Sequence, residues 1–224
     1  MSVSAEYLSA PAACRRYPAA KPGPAGPLLL AGLCLLILAL IWVVAELVPA
    51  THLRDAVLLR DFTLLSRPHV DSLANDLLRP FEPLPFIALG TVLVVVALLR
   101  GRWQLGLAVA LVLSLAPLSA QLLKPLLAHA HDPVSGVYMA NASWPSGHST
   151  AAAALVLCAV LVSPARLRPL VAVLGGLFVV AVGCALLILA WHMPSDVLAG
   201  YFLAALWLAI ALAGLRACAP NMRL

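Results

Sequence analysis

Three short polar clusters interrupt an otherwise apolar sequence, and each holds residue types that handle anions or protons. The first is Lys124, followed by His129, His131 and Asp132; the second is Trp144-Pro145-Ser146-Gly147-His148; the third is His192-Met193-Pro194-Ser195-Asp196. In the second cluster a glycine-containing turn opens into an apolar run that reads as a helix. Such a turn presents unpaired backbone N–H groups at the positive end of the helix dipole, a combination that binds phosphate. Ser146 adds a hydroxyl donor, Gly147 allows close approach to the backbone, and His148 sits where an imidazole can protonate a leaving group. In the third cluster Asp196 follows His192 by one helical turn, so its carboxylate can reach back to the imidazole. A carboxylate on one ring nitrogen fixes the tautomer and leaves the other nitrogen as nucleophile or base. Pro194 suits a first helical turn, where its missing N–H is not needed. Lys124 supplies a point charge for an anion.

Plainer explanations exist for each residue taken alone. A Lys that ends a membrane span is ordinarily a snorkelling anchor. A single histidine at a membrane interface is ordinarily a polar helix end, and His52, His69 and His129 are read that way. His192 and Asp196 could be two metal ligands, but no histidine spacing resembles a paired-ligand motif on one helix, so no metal site and no cofactor are expected.

The elements that carry these clusters are membrane helices. Hydrophobic residues make up 63% of the 224 and charged residues only 10%, against about a quarter charged in a soluble domain. The net charge of +5 is spread over short loops with no basic run, so no nucleic-acid partner is expected. Five cysteines form neither a CxxC pair nor a zinc-type spacing. Six apolar runs, at about 27–48, 84–100, 104–124, 148–163, 170–190 and 197–215, predict an all-α polytopic membrane protein of six transmembrane helices. One domain, 27–216, lies between a flexible polar tail (1–26) and a short tail (217–224).

The tail, the 100–103 turn, the 164–169 turn and the C-terminus hold Arg15, Arg16, Lys21, Arg100, Arg102, Arg166, Arg168, Arg216 and Arg223, with Glu6 as their only acid. The alternate connections hold eight acids and every histidine. The positive-inside rule then predicts cytoplasmic termini and places all three polar clusters at the outer face. Residues 50–83 form the longest polar connection. Leu53, Val57, Leu58, Leu64, Leu65, Leu73, Leu77 and Leu78 recur among acids and arginines there, which predicts an interfacial amphipathic segment between the first two spans. A plain connector accounts for it more simply than a lid or lipid gate.

Pro145-Ser146-Gly147-His148, then His192 and Asp196 opening a later span, with Lys124 upstream, resembles the type 2 phosphatidic-acid phosphatase superfamily of membrane lipid phosphatases. The tetrapeptide alone arises by chance in a chain this long on the order of once in a thousand. The resemblance runs from Lys124 to the end of the sixth span, about half of the chain. It implies a metal-independent phosphatase of a bacterial plasma membrane. His192 would attack phosphorus to form a phosphohistidine, with Asp196 orienting it. His148 would protonate the leaving group, while Lys124, Ser146 and Gly147 hold the phosphoryl oxygens. The partners it implies are membrane lipids and a lipid phosphate or diphosphate substrate.

The chain departs from the family pattern in two places. The Arg-Pro pair of the first motif falls on His131 and Asp132, and the Ser-Arg pair of the third on Ala185 and Leu186. Two phosphate-binding arginines are thus replaced, with His131 as a partial substitute if protonated. Each such cation is worth several kcal/mol at a desolvated phosphoryl group. Three readings follow. The first is hydrolysis of a lipid-linked phosphate at the outer face. The second is an impaired member that binds, moves or scaffolds phospholipids, which the replaced arginines favour. The third is a transporter relay through Lys124, His148 and Asp196, disfavoured because these charges gather at one interface rather than at mid-bilayer.

Overall fold

A computed structural model describes residues 23–127 and 144–218. Most of the N-terminal tail, the last residues of the C-terminal one, and His129, His131 and Asp132 lie outside them. The described residues fold into α1 (Ala25–Trp42, continued by a π-turn Val43–Leu47), α2 (Pro49–Thr63), α3 (Pro68–Leu78, followed by a short 3-10 turn), α4 (Pro83–Leu99), α5 (Trp103–Leu127), α6 (Gly147–Val162), α7 (Arg168–Ile188) and α8 (Pro194–Cys218). No strand occurs among them. Proline stands in the first turn of α2, α3, α4, α7 and α8, where its fixed φ favours the helix and its lost N–H costs nothing.

All six apolar runs are helical, with ends close to those expected. Length and composition make four of these helices able to cross a membrane, residues 25–47 and α5, α7 and α8. A fifth crossing results if α3 and α4, bent by 54° at their junction, count as one. The 16 residues of α6 extend roughly 24 Å, less than a bilayer core. Apolar side chains face outward all round the bundle, among them Leu29, Leu36, Leu99, Leu170, Leu177 and Val180. That pattern suits lipid rather than water.

Small residues fill the centre. Ala151, Ala152, Ala153 and Ala154 of α6 and Ala199, Gly200 and Ala204 of α8 are buried, letting the two backbones approach closely. Gly200 marks the tightest point. A Cβ there would press on the Ser149 hydroxyl and lie 2.8 Å from the Ser146 carbonyl oxygen and 2.9 Å from Thr150 Oγ1. Side-chain hydrogen bonds tie other pairs: Trp42 Nε1 donates to the Leu127 carbonyl at 2.9 Å, Trp207 Nε1 to Ser119 Oγ at 2.9 Å, and Tyr201 to the Val179 carbonyl at 2.9 Å.

The two arginine-bearing turns meet at one end of the bundle, where Arg100 donates to the Val162 carbonyl at 2.6 Å and Arg168 Nε to the Ser163 carbonyl at 3.1 Å. These guanidinium groups offset the negative end of α6. Arg216, at the end of α8, reaches the Gly23 carbonyl at 3.5 Å. The polar clusters of α6 and α8 lie at the other end, joined by the Ser146 N–H donating to the Asp196 carbonyl at 3.1 Å.

Residues 50–83 are two helices packed on α7 and α8. Their buried residues are Ala56, Leu59, Ala74, Leu78 and Phe81, in one cluster with Leu186, Leu187, Met193 and Val197. Of the residues expected to form an apolar face, Leu53, Val57, Leu58, Leu64, Leu65 and Leu73 are exposed, and only Leu77 and Leu78 join the core. The face toward protein is thus built mainly of other residues than those the apolar pattern singled out.

Candidate active site

Helix α6 begins at the site because Ser146 caps it. The Ser146 hydroxyl accepts from the Ser149 N–H at 3.4 Å, and its carbonyl accepts from Thr150 Oγ1 at 2.7 Å and Ser149 Oγ at 3.1 Å. Ser146 is fully buried, so its polar groups serve the helix start and the junction with α8. Gly147 and His148 follow on the cavity side. The Gln121 side chain of α5 lies against Gly147, its Nε2 only 2.8 Å from where a Cβ would sit. A larger residue at 147 would push that amide away.

Helix α7 ends in a paired C-terminal turn. Ala190 N–H donates to the Leu187 carbonyl and Trp191 N–H to the Leu186 carbonyl, both at 3.0 Å, with Ala190 at φ 54°. The left-handed residue satisfies the last carbonyls and swings Trp191 and His192 toward α6. Glycine is the usual occupant, and a Cβ there carries strain of about 1 kcal/mol. Ala190→Gly is therefore expected to stabilise the protein by about 0.5–1 kcal/mol, read as an upward shift of its thermal melt in detergent.

The third cluster forms the start of α8. Asp196 is 1% exposed and His192 7%. The Asp196 Oδ2 accepts from the Met193 N–H at 2.8 Å and lies 3.5 Å from His192 Nδ1. That second contact is ion-pair range rather than a hydrogen bond, and Nδ1 has no hydrogen-bond partner among the described residues. A small ring rotation would close the gap, as catalytic contacts often do when substrate binds.

His192, His148, Gly147, Lys124 and Gln121 line one cavity of about 710 Å³. Its other wall is apolar, with Phe81, Phe86, Pro117 and Leu189. The His148 and Trp191 rings stand 5.7 Å apart, tilted by 59°. Of the residues singled out from sequence, Lys124, Gly147, His148 and His192 thus meet on one surface. Asp196 and Ser146 stand behind it, and His131 lies outside the described residues. Gln121 and Trp191 were not singled out for a role. Gln121 carried a signal, being a polar residue one turn before Lys124 in an apolar helix. The two positions where the family pattern has Ser-Arg, Ala185 and Leu186, are both buried in the apolar cluster under α2 and α3, so α7 brings no cation to this end of the bundle.

The helical bundle gathers two histidines, a lysine and a helix N-terminus on one cavity, an arrangement suited to holding an anion beside proton-transfer groups. The family model of the PAP2 superfamily matches residues 101–218, more than half of the chain, and the chain belongs to that superfamily. It is similar in fold to the crystal structure described as the first transmembrane PAP2-type phosphatidylglycerolphosphate phosphatase from Bacillus subtilis. The TM-score is 0.71 at 21% identity, covering 88% of this chain and 98% of that one. No curated protein sequence matches significantly.

Proposed function

We propose that this protein hydrolyses a lipid-linked phosphate or diphosphate without a metal, through a phosphohistidine, at the outer face of a bacterial plasma membrane. The observation that carries the reading is the single cavity shared by His192, His148, Lys124 and the start of α6. With Nδ1 turned toward Asp196, Nε2 is the ring nitrogen left for phosphorus. It attacks, the bond from phosphorus to the leaving oxygen breaks, and His148 delivers a proton to that oxygen. Water then attacks the phosphohistidine while His148 takes its proton, and phosphate departs. Lys124 and the Gly147 backbone balance the phosphoryl charge. The apolar wall at Phe81 and Phe86 suits a substrate whose tail stays in lipid.

In this reading the chain crosses the bilayer six times, α6 being one short crossing, with residues 27–216 as one domain and both termini cytoplasmic. The arginine turns then face the cytoplasm, and the exposed leucines of α2 and α3 rest on the outer leaflet. Gln121 takes up part of the role left by the replaced arginines, donating its amide to a phosphoryl oxygen held at α6. Gln121→Ala is expected to raise KM by about tenfold, the worth of one hydrogen bond to a charged group, and steady-state kinetics check it.

The test of the whole reading is phosphate release from detergent-solubilised protein. The panel comprises phosphatidic acid, phosphatidylglycerolphosphate and polyprenyl phosphates and diphosphates, with EDTA present and the His192→Ala variant as blank. Release above the blank supports it. Release from none of these substrates, across acid to neutral pH, would sink it. That outcome would favour a member that binds or scaffolds phospholipids, for which the apolar Ala185 and Leu186 are the supporting observation.

A further inference from the structure

Helix α8 opens without a local cap. Its first residue, Pro194, has no N–H, and the residue before it, Met193, is buried and apolar; its carbonyl takes the Val197 N–H at 3.2 Å, but its side chain has no oxygen to offer the first turn. The first orphan donor is therefore the Ser195 N–H. Its acceptor comes from another helix, 140 residues upstream. Asp55 of α2 receives the Ser195 N–H on both carboxylate oxygens at 3.3 Å, and the Ser195 hydroxyl on Oδ2 at 2.5 Å. We propose that Asp55 is a positioning residue for the reaction, holding from α2 the turn that carries His192 and Asp196.

The turn is closed from two sides. Asp196 holds it from within by accepting the Met193 N–H at 2.8 Å, and Asp55 holds it from outside through Ser195. A negative charge at the start of α8 suits the helix dipole. Placing a second carboxylate beside Asp196 has a cost. Burial pushes the Asp55 carboxyl up; the two Ser195 hydrogen bonds pull it down, Asp196 pushes it up, and His52 pulls it down. The next residue, Ala56, and Leu59 one turn on are buried in the same cluster as Met193 and Val197, so α2 is docked on the turn by packing as well as by charge. On this account residues 50–83 are part of the site's framework and more than a connector.

The inference rests on the hydrolase reading for its kinetic readout alone. Asp55→Ala is expected to lower kcat by about 10- to 100-fold, the effect of misplacing a reacting group, with KM within about twofold. Asp55→Asn keeps an acceptor oxygen and is expected to restore most of the rate. Ser195→Ala is expected to lower kcat less, and the Asp55→Ala/Ser195→Ala pair to be non-additive. Arg54→Ala, exposed on the same helix, is expected to match wild type. Hydrogen exchange at the Ser195 and Met193 amides, read on the same proteins, is expected to quicken in Asp55→Ala. Wild-type kcat in Asp55→Ala, a loss confined to KM, or unchanged amide protection overturns the proposal. If Asp55→Ala does not fold, Ser195→Ala with a wild-type rate and protection overturns it equally. If the wild type releases no phosphate from any lipid, the hydrolase reading fails, and amide protection still decides whether Asp55 holds the turn.

Discussion

Phosphate release by His192→Ala is expected to fall to that of a protein-free reaction for every substrate, a loss of about 10⁴-fold or more. Among the described residues that line the cavity, none is placed to replace it as nucleophile. Lys124 is a cation, Gln121 an amide, and His148 stands with its ring against Trp191. His148→Ala is expected to behave differently, and the contrast separates nucleophile from acid. A proton from His148 matters in proportion to the basicity of the leaving oxygen. On a lipid phosphate, whose leaving group is an alkoxide, its loss is expected to cost about 10²–10⁴-fold. On an aryl phosphate with an acidic phenol, the first step needs little protonation and the deficit is expected to shrink. A similar deficit on both substrates would argue against His148 as the acid. Asp196→Ala combined with His192→Ala is expected to be no worse than His192→Ala alone, because the two act as one unit.

The helices were legible because a bilayer demands long apolar runs, and because proline marks so many of their starts. Lys124, Gly147, His148 and His192 were legible as a group because polar residues are costly in an apolar helix and their spacing matched a phosphate-handling pattern. The buried face of α2 and α3 was not. Hydrophobicity does not distinguish contact with lipid from contact with protein, so Leu53, Val57 and Leu58 drew attention while Ala56, Leu59 and Ala74 made the packing. Ser146 was read as a hydroxyl for the ligand, and the structure places that hydroxyl in the cap of α6. Asp55 and Ser195 could not be paired from sequence, since 140 residues separate them and Asp55 lies in no recognisable pattern. Ala185 and Leu186 were visible as departures. Their burial adds that a guanidinium could not be restored there without placing a charge in a packed apolar cluster.

Gly200→Ala is expected to cost nearly as much activity as a change in the site, although Gly200 does not line the cavity. The added methyl would meet three oxygens at once: the Ser149 hydroxyl, Thr150 Oγ1 and the Ser146 carbonyl. A flexible side chain could swing aside, but both hydroxyls are engaged on the Ser146 carbonyl at 3.1 and 2.7 Å, and that carbonyl is backbone. Relief must come from moving α6 away from α8. The movement would stretch the 3.1 Å bond from the Ser146 N–H to the Asp196 carbonyl, the link between the phosphate-binding turn and the turn that carries His192. Overpacking of this kind costs about 1–3 kcal/mol of stability. A displacement of 1 Å between reacting groups costs about 100-fold in rate. Thermal melting in detergent and phosphate release together check both numbers. Gly176→Ala, where a Cβ meets nothing within 4 Å, should leave the rate unchanged and, as a helix-interior glycine replaced by alanine, raise the melting temperature slightly. A fully active Gly200→Ala would mean that α6 and α8 can separate without disturbing His148 or His192, and that their close approach serves packing alone.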